Sequence, residues 1–246
     1  MMGEERLWVE RIGGWIADRV REAGAQGALV GVSGGVDSAV VAGLLARALP
    51  ERALGVLMPC HSQSEDSELG RLVVQTFGLE ALEVDLTETY DTLVRALPPG
   101  RRLARANLKP RLRMMTLYYL ANERNYLVAG SGNRSELAVG YFTKYGDGGV
   151  DLLPIGGLYK RQVRALARVL GVPEPVIARP PTAGLWAGQT DEGEMGITYE
   201  ELDSILESLD RGEAPSQPPE LVEKVWRMMA GSEHKRHMPP VGPVVE

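Results

Sequence analysis

Short apolar runs alternate along the first half of the chain with segments whose apolar positions recur every three to four residues. Residues 28–32 (Ala-Leu-Val-Gly-Val), 53–58 (Ala-Leu-Gly-Val-Leu-Met), 81–85 and 126–129 (Tyr-Leu-Val-Ala) read as four strands. Leu7, Ile12, Trp15, Ile16 and Val20, set among charges, predict a helix over 4–23. Further helices follow over about 37–48, 65–77, 86–97 and 110–124. Pro59 closes the second strand, and Pro98-Pro99-Gly100 stops the helix before it. Past residue 140 the rhythm changes. The run Gly140-Tyr141-Phe142-Thr143-Lys144-Tyr145-Gly146-Asp147-Gly148-Gly149 holds too little apolar surface for a strand and reads as a long, ordered substrate loop. A helix over 160–170 ends at Gly171-Val172-Pro173. Two C-terminal helices, 198–209 and 220–231, flank a proline-rich connector.

Strand-helix alternation predicts an α/β fold: a doubly wound parallel sheet in a Rossmann-like three-layer arrangement, with extra C-terminal helices. Right-handed crossovers put strands two and three on one side of strand one and strand four on the other. The strand order then reverses between strands one and four, where such sheets bind ligands. The carboxyl ends of these two strands carry Ser33–Ser38 and Gly130-Ser131-Gly132-Asn133-Arg134-Ser135-Glu136, the most motif-like segments of the chain.

Composition narrows the options. The 246 residues suit a single domain over 1–246, and 44% hydrophobic content supplies a core. A net charge of −6 argues against a nucleic-acid partner. No apolar run approaches a membrane span and no signal-peptide core follows Met1, so no membrane partner is expected. Cys60 is the single cysteine, which rules out an intrachain disulfide and makes a cytoplasmic location the default. It reads as a small hydrophobe at a strand end. His61, His234 and His237 do not match a zinc spacing.

The chemistry concentrates at Ser33-Gly34-Gly35-Val36-Asp37-Ser38. A hydroxyl- and glycine-rich turn from strand to helix aims backbone N–H groups at one point, at the positive end of a helix dipole. The lysine of the Walker loop is absent, and the glycines lack dinucleotide-binding spacing. Asp37 is a candidate Mg2+ ligand beside the phosphates, and Glu136, closing the loop after strand four, is a second.

The S-G-G-x-D-S run resembles the pyrophosphate-binding loop of enzymes that split ATP into AMP and pyrophosphate, of the adenine nucleotide alpha hydrolase-like type. With Arg111-Leu112-Arg113, Gly130–Glu136, Gly140–Gly148, Asp151, Leu158-Tyr159-Lys160, Pro181-Thr182-Ala183, Gln189-Thr190-Asp191-Glu192 and His234-Lys235-Arg236, the chain resembles NAD+ synthetases over nearly its whole length. The resemblance implies amidation of deamido-NAD+ to NAD+, the final step of NAD+ biosynthesis. In it the nicotinate carboxylate attacks the α-phosphorus of ATP, pyrophosphate leaves, and ammonia displaces AMP from the adenylated intermediate. It also implies roles by position. Gly31, Val32, Ser33, Gly34, Gly35, Val36, Asp37 and Ser38, with Ser131, Lys160 and Thr182, would hold ATP. Asp37 and Glu136 would hold Mg2+, and Asp37, Glu136 and Lys160 form the catalytic set. Arg111, Lys144, Asp151, His234 and Lys235 would contact deamido-NAD+. Ser131 stands where the family usually has threonine, and Thr182 where it often has serine; the hydroxyl is kept in both. One helix precedes Ser33 and Cys60 lies inside the synthetase region, so no glutaminase domain is expected and free ammonia is the nitrogen donor, a separate glutaminase partner being left open. The family forms homodimers, for which the apolar helix around Met114, Met115, Leu117, Tyr118, Tyr119 and Leu120 is a candidate interface or, equally, a core element.

Overall fold

The computed structural model describes residues 3–186 and 188–243. Strands β1 (Gly27–Gly31), β2 (Ala53–Leu57), β3 (Glu80–Glu83) and β4 (Tyr126–Ala129) form one sheet in the order β3-β2-β1-β4, with every pairing parallel. The order reverses between β1 and β4, as the crossover argument requires.

Side-chain alternation along the strands builds the layers. Ala28 and Val30 of β1, with Ala53 and Leu57 of β2, join one core. That core is completed by α1 (Glu4–Glu22), α2 (Val36–Ala48), α3 (Ser64–Phe77) and α8 (Lys160–Leu170). The intervening Leu29, Leu54 and Val56 point to the other face, where α4 (Thr87–Ala96) and α6 (Leu108–Arg124) cover them. Helix α2 is buried along most of its length, which explains why its sequence shows little amphipathic period.

A third cluster lies beyond these layers. Helix α11 (Tyr199–Asp210) packs on α8 and on the short α7 (Arg134–Val139), and α12 (Pro219–Gly231) packs on α7. Asp203, fully buried on α11, accepts a hydrogen bond from the Arg161 backbone at 2.9 Å and another from the Ser135 hydroxyl. A single carboxylate thus ties the C-terminal helices to the first turns of α7 and α8.

The expected helices and strands are present to within a few residues. Four helical segments of four to six residues were not expected: α5 (Arg102–Ala106) inside the arginine-rich connection, α7, α9 (Glu174–Ile177) and α10 (Asp191–Met195). None is long enough to show a period of its own. No helix among the described residues is long and apolar enough to cross a membrane.

Candidate active site

The β1–α2 turn is shaped by its own hydroxyls. The Ser33 N–H donates to Ser38 Oγ at 3.2 Å, and Ser38 Oγ donates to the Gly35 carbonyl at 3.0 Å. Gly34 has φ +80°, and a Cβ there would meet the Asp66 carbonyl at 2.6 Å, so only glycine fits. Gly35 caps α2 with no side-chain bond to its first-turn amides, which leaves those donors facing outward.

The loop after β4 meets this turn. Asn133 is the N-cap of α7; its side chain accepts from Glu136 N, while Glu136 reaches back to the Asn133 amide. The Asn133 side-chain nitrogen Nδ2 donates to Asp37 Oδ1 at 2.9 Å. Lys160, at the start of α8 and 1% exposed, places its ammonium 2.5 Å from Asp37 Oδ2 and 3.1 Å from Glu136 Oε1. Residues from three distant parts of the chain therefore converge on one buried cation.

Tyr199 completes the cluster from α11. Its hydroxyl lies 3.0 Å from Glu136 Oε1 and 3.0 Å from Asp191 Oδ2. Carrying one proton, it donates to one carboxylate at a time. Its ring sits 4.6 Å from the Lys160 ammonium. Tyr141 extends the chain of oxygens to Asp191 and Glu194 at 3.2 and 2.8 Å.

The electrostatics follow from burial. Desolvation pushes Glu136 up to about 7, opposed by the Lys160 charge and reinforced by Asp37. Asp191 rises for the same first reason. Burial alone would lower the Lys160 ammonium, but Asp37 and Glu136 more than reverse this and hold it above its ordinary range.

A cavity of about 580 Å³ opens above the carboxyl ends of β1 and β4. Gly31, Val32, Ser33, Gly35, Asp37, Ser38, Ser131, Glu136, Lys160 and Thr182 line it, as do Arg111, Lys144, His234 and Lys235. Gly34 backs onto α3 and Val36 is buried in the core, so neither faces the cavity. Asp151 does not line it either: its carboxylate accepts from Val128 N at 2.8 Å and from the Tyr118 hydroxyl at 3.0 Å. There it pins the returning chain beside β4, where Leu152 forms a parallel bridge with Ala129.

The segment 140–149 lines the cavity without helix or strand and is held from both sides. Thr143 N donates to Asp147 Oδ1 at 2.9 Å, and Lys235 Nζ donates to the Gly140 and Phe142 carbonyls at 2.7 and 2.8 Å. Lys144 Nζ reaches the His234 carbonyl at 2.5 Å, and Arg111 reaches the Lys144 carbonyl at 3.4 Å.

A family model described as NAD synthase matches residues 8–239. The chain belongs to the NAD synthase family, and is an enzyme. A relative named NH(3)-dependent NAD(+) synthetase from Carboxydothermus hydrogenoformans is 53% identical over 237 residues, covering 94% of this chain and 95% of its own length. Among solved structures, an NMN synthetase from Francisella tularensis superposes with a TM-score of 0.90 at 32% identity, over 98% of this chain and 99% of its own. An NH3-dependent NAD synthetase from Campylobacter jejuni follows with a TM-score of 0.85 at 29% identity, over 97% and 99%.

Within this NAD synthase frame, sequence reasoning gave no role to Asn133, Asp191, Tyr199 or Asp203. The capping pattern Thr198–Glu201 marks the start of α11, but nothing local shows that the tyrosine after the cap reaches Glu136.

Proposed function

We propose that the chain catalyses ATP- and Mg2+-dependent amidation of deamido-NAD+ by ammonia, through an adenylated intermediate, with release of AMP and pyrophosphate. The observation that carries this reading is the placement of the Lys160 ammonium between Asp37 and Glu136, beside a turn built for phosphate, at the β1/β4 crevice.

The residues suit that chemistry. The outward amides at the start of α2, with Ser33 and Ser38, bind the β and γ phosphates of the leaving group. Lys160 offsets the two carboxylates that face the polyphosphate and donates to its oxygens. Asp37 and Glu136 are hard oxygen donors turned toward one point, and both have lone pairs beyond their present bonds, so they fit Mg2+. Among the described residues no group of three or more His, Cys, Asp or Glu side chains is set as a complete metal cage. A cation here would take its remaining ligands from phosphate and water, as Mg2+ prefers. When bound, Mg2+ supplies charge neutralisation at the leaving pyrophosphate. Arg111, Lys144, His234 and Lys235 line the same cavity and receive the dinucleotide, whose nicotinate carboxylate must lie in line with the α-phosphorus. Asp151 would meet the dinucleotide only from outside this cavity. The exposed Met115 and Tyr119 on α6 support a homodimer.

The test is a reaction of purified protein with ATP, Mg2+, ammonium and deamido-NAD+, following NAD+, AMP and pyrophosphate. ADP with phosphate, or no turnover, overturns the reading. The fit to an NMN synthetase makes nicotinate mononucleotide the rival acceptor; preference for it over deamido-NAD+ would reassign the substrate. Glutamine in place of ammonium is expected to give no turnover.

A further inference from the structure

Arg113, like Arg179, is a cavity cation for which sequence reasoning found no role. It projects from α6 into the wall of the cavity. Its Nε donates to the Met58 carbonyl at 3.1 Å, and one terminal nitrogen approaches Ser62 Oγ at 3.5 Å. Among the described residues no carboxylate pairs with it. Arg179, on the same cavity, is by contrast closed off by an ion pair with Asp66. A guanidinium carries five N–H donors. At least three therefore remain for a guest.

Its surroundings make those donors matter. The side chain is half-buried, and the desolvation this brings lowers its proton affinity, opposed by Cys60, Asp147 and Asp66. A partly desolvated charge with no carboxylate beside it is held at some cost, and an anionic ligand relieves that cost. Guanidinium geometry matches phosphate oxygens with two parallel hydrogen bonds.

Location selects the ligand. Arg111 and Arg113 are two residues apart on a helix, so they leave it on different sides. Arg111 turns to the Lys144 carbonyl and Arg113 to the end of β2. Met58 is also the side chain nearest to Gly31, a Cβ on which would lie 3.0 Å from its terminal methyl. Arg113 is thus anchored beside the strand that feeds the Ser33–Ser38 turn, away from the wall of Lys144, His234 and Lys235.

We infer that Arg113 binds an anionic phosphate oxygen of ATP from the β2 side of the cavity. This rests on the ATP-dependent reading above. The Met58 bond fixes the guanidinium before the nucleotide arrives, so little side-chain entropy is lost on binding.

The test compares wild type, Arg113→Lys and Arg113→Gln. Calorimetry measures Mg-ATP and adenosine binding, and steady-state kinetics gives KM for deamido-NAD+. For Arg113→Gln, ATP binding should weaken by about tenfold or more, the charge-assisted bonds being lost. Adenosine binding and the deamido-NAD+ KM should stay within about twofold, because neither uses those bonds. Arg113→Lys keeps the charge and should recover part of the loss. Unchanged ATP affinity in Arg113→Gln overturns the inference, as does equal weakening of ATP and adenosine, which would mean a base contact or a structural role. A change confined to deamido-NAD+ would give the anion to the other substrate. Wild type that fails to bind ATP at all would instead bring down the functional reading itself.

Discussion

The Lys160 ammonium lies 2.5 Å from the Asp37 carboxylate, although 123 positions separate the two residues. The pair links the first turn of α2 to the first turn of α8, and Glu136 of α7 shares the same cation. Replacing Lys160 with methionine leaves two carboxylates facing each other without a counter-charge. Breaking a buried pair by removing one partner costs about 3–5 kcal/mol. For a chain of this size that corresponds to a melting point lower by roughly 10 °C. Loss of turnover should exceed the loss of folded protein. A Lys160→Met variant that melts within a degree or two of wild type would show that the cation does not hold the three helix ends together.

The pH dependence of stability reports on Glu136. Its carboxyl is raised to about 7 in the fold, against about 4.3 in an unfolded chain. Between those values the native state binds more protons than the unfolded state, so this group's contribution is full below about 4.3 and is lost as pH rises through about 7. Asp191 shifts in the same direction and adds to the effect. Lys160 is raised as well, so its contribution fades only in strongly alkaline solution. Chemical denaturation of wild type and Glu136→Gln from pH 4.5 to 8 isolates the difference. The wild type should lose stability relative to the variant across that window, and Mg2+ with ATP should flatten the difference by binding the ionised form. Parallel curves would contradict the raised value.

Gly140 joins the helix end of α7 to the cavity loop. Its φ is +69°, and an added Cβ would lie 2.1 Å from Ser232 Cβ. Gly140→Ala therefore meets both a backbone penalty and a collision with the segment that carries His234 and Lys235. A loss of about 2 kcal/mol or more is expected. The Gly140 carbonyl also accepts from Lys235, so KM for deamido-NAD+ should rise more than KM for ATP. Equal changes in both would mean that the substitution acts on stability alone.

Much of the scaffold was legible in the sequence because it rests on local signals. Strand β4 and helix α8 match their expected limits, since glycine, proline and charge mark their ends. The order β3-β2-β1-β4 follows from chain direction and crossover hand. The Ser33–Ser38 turn announces itself through its paired glycines, of which Gly34 is demanded by a left-handed φ and a close backbone approach. The supports of the site were not legible, for a different reason. Tyr199, Asp191 and Asp203 act through partners far away in sequence: Asp203 meets Ser135 across 68 positions and Tyr199 meets Glu136 across 63. A tyrosine or an aspartate near a helix start reads locally as surface or cap. Only the docking of α11 on α7 and α8 turns these residues inward. The apolar helix α6 shows the same limit: Leu117 is buried, Met114 lines the cavity, and Met115 and Tyr119 face outward, a division that no period within the helix dictates.

That outward pair yields the last prediction. Met115 and Tyr119 are 62% and 66% exposed and stand four residues apart on α6, so they form one patch. A homodimer through this face would bury both, and a large side chain fully buried contributes about 1.5–3 kcal/mol. A charge placed there loses that contribution and is itself desolvated in the interface. Met115→Asp and Tyr119→Asp should each shift sedimentation from dimer toward monomer at micromolar concentration, with the double variant wholly monomeric. The melting point of the separated chain should change little, because neither residue belongs to the core. Tyr118 is their neighbour and donates to Asp151, so dissociation would also expose the one expected dinucleotide contact that lies outside the cavity. If Asp151 meets substrate across such an interface, the monomeric variants should show a raised KM for deamido-NAD+ with ATP affinity intact. A wild-type protein that sediments as a monomer under turnover conditions would remove the interface and leave Asp151 with its structural bonds to Val128 and Tyr118 alone.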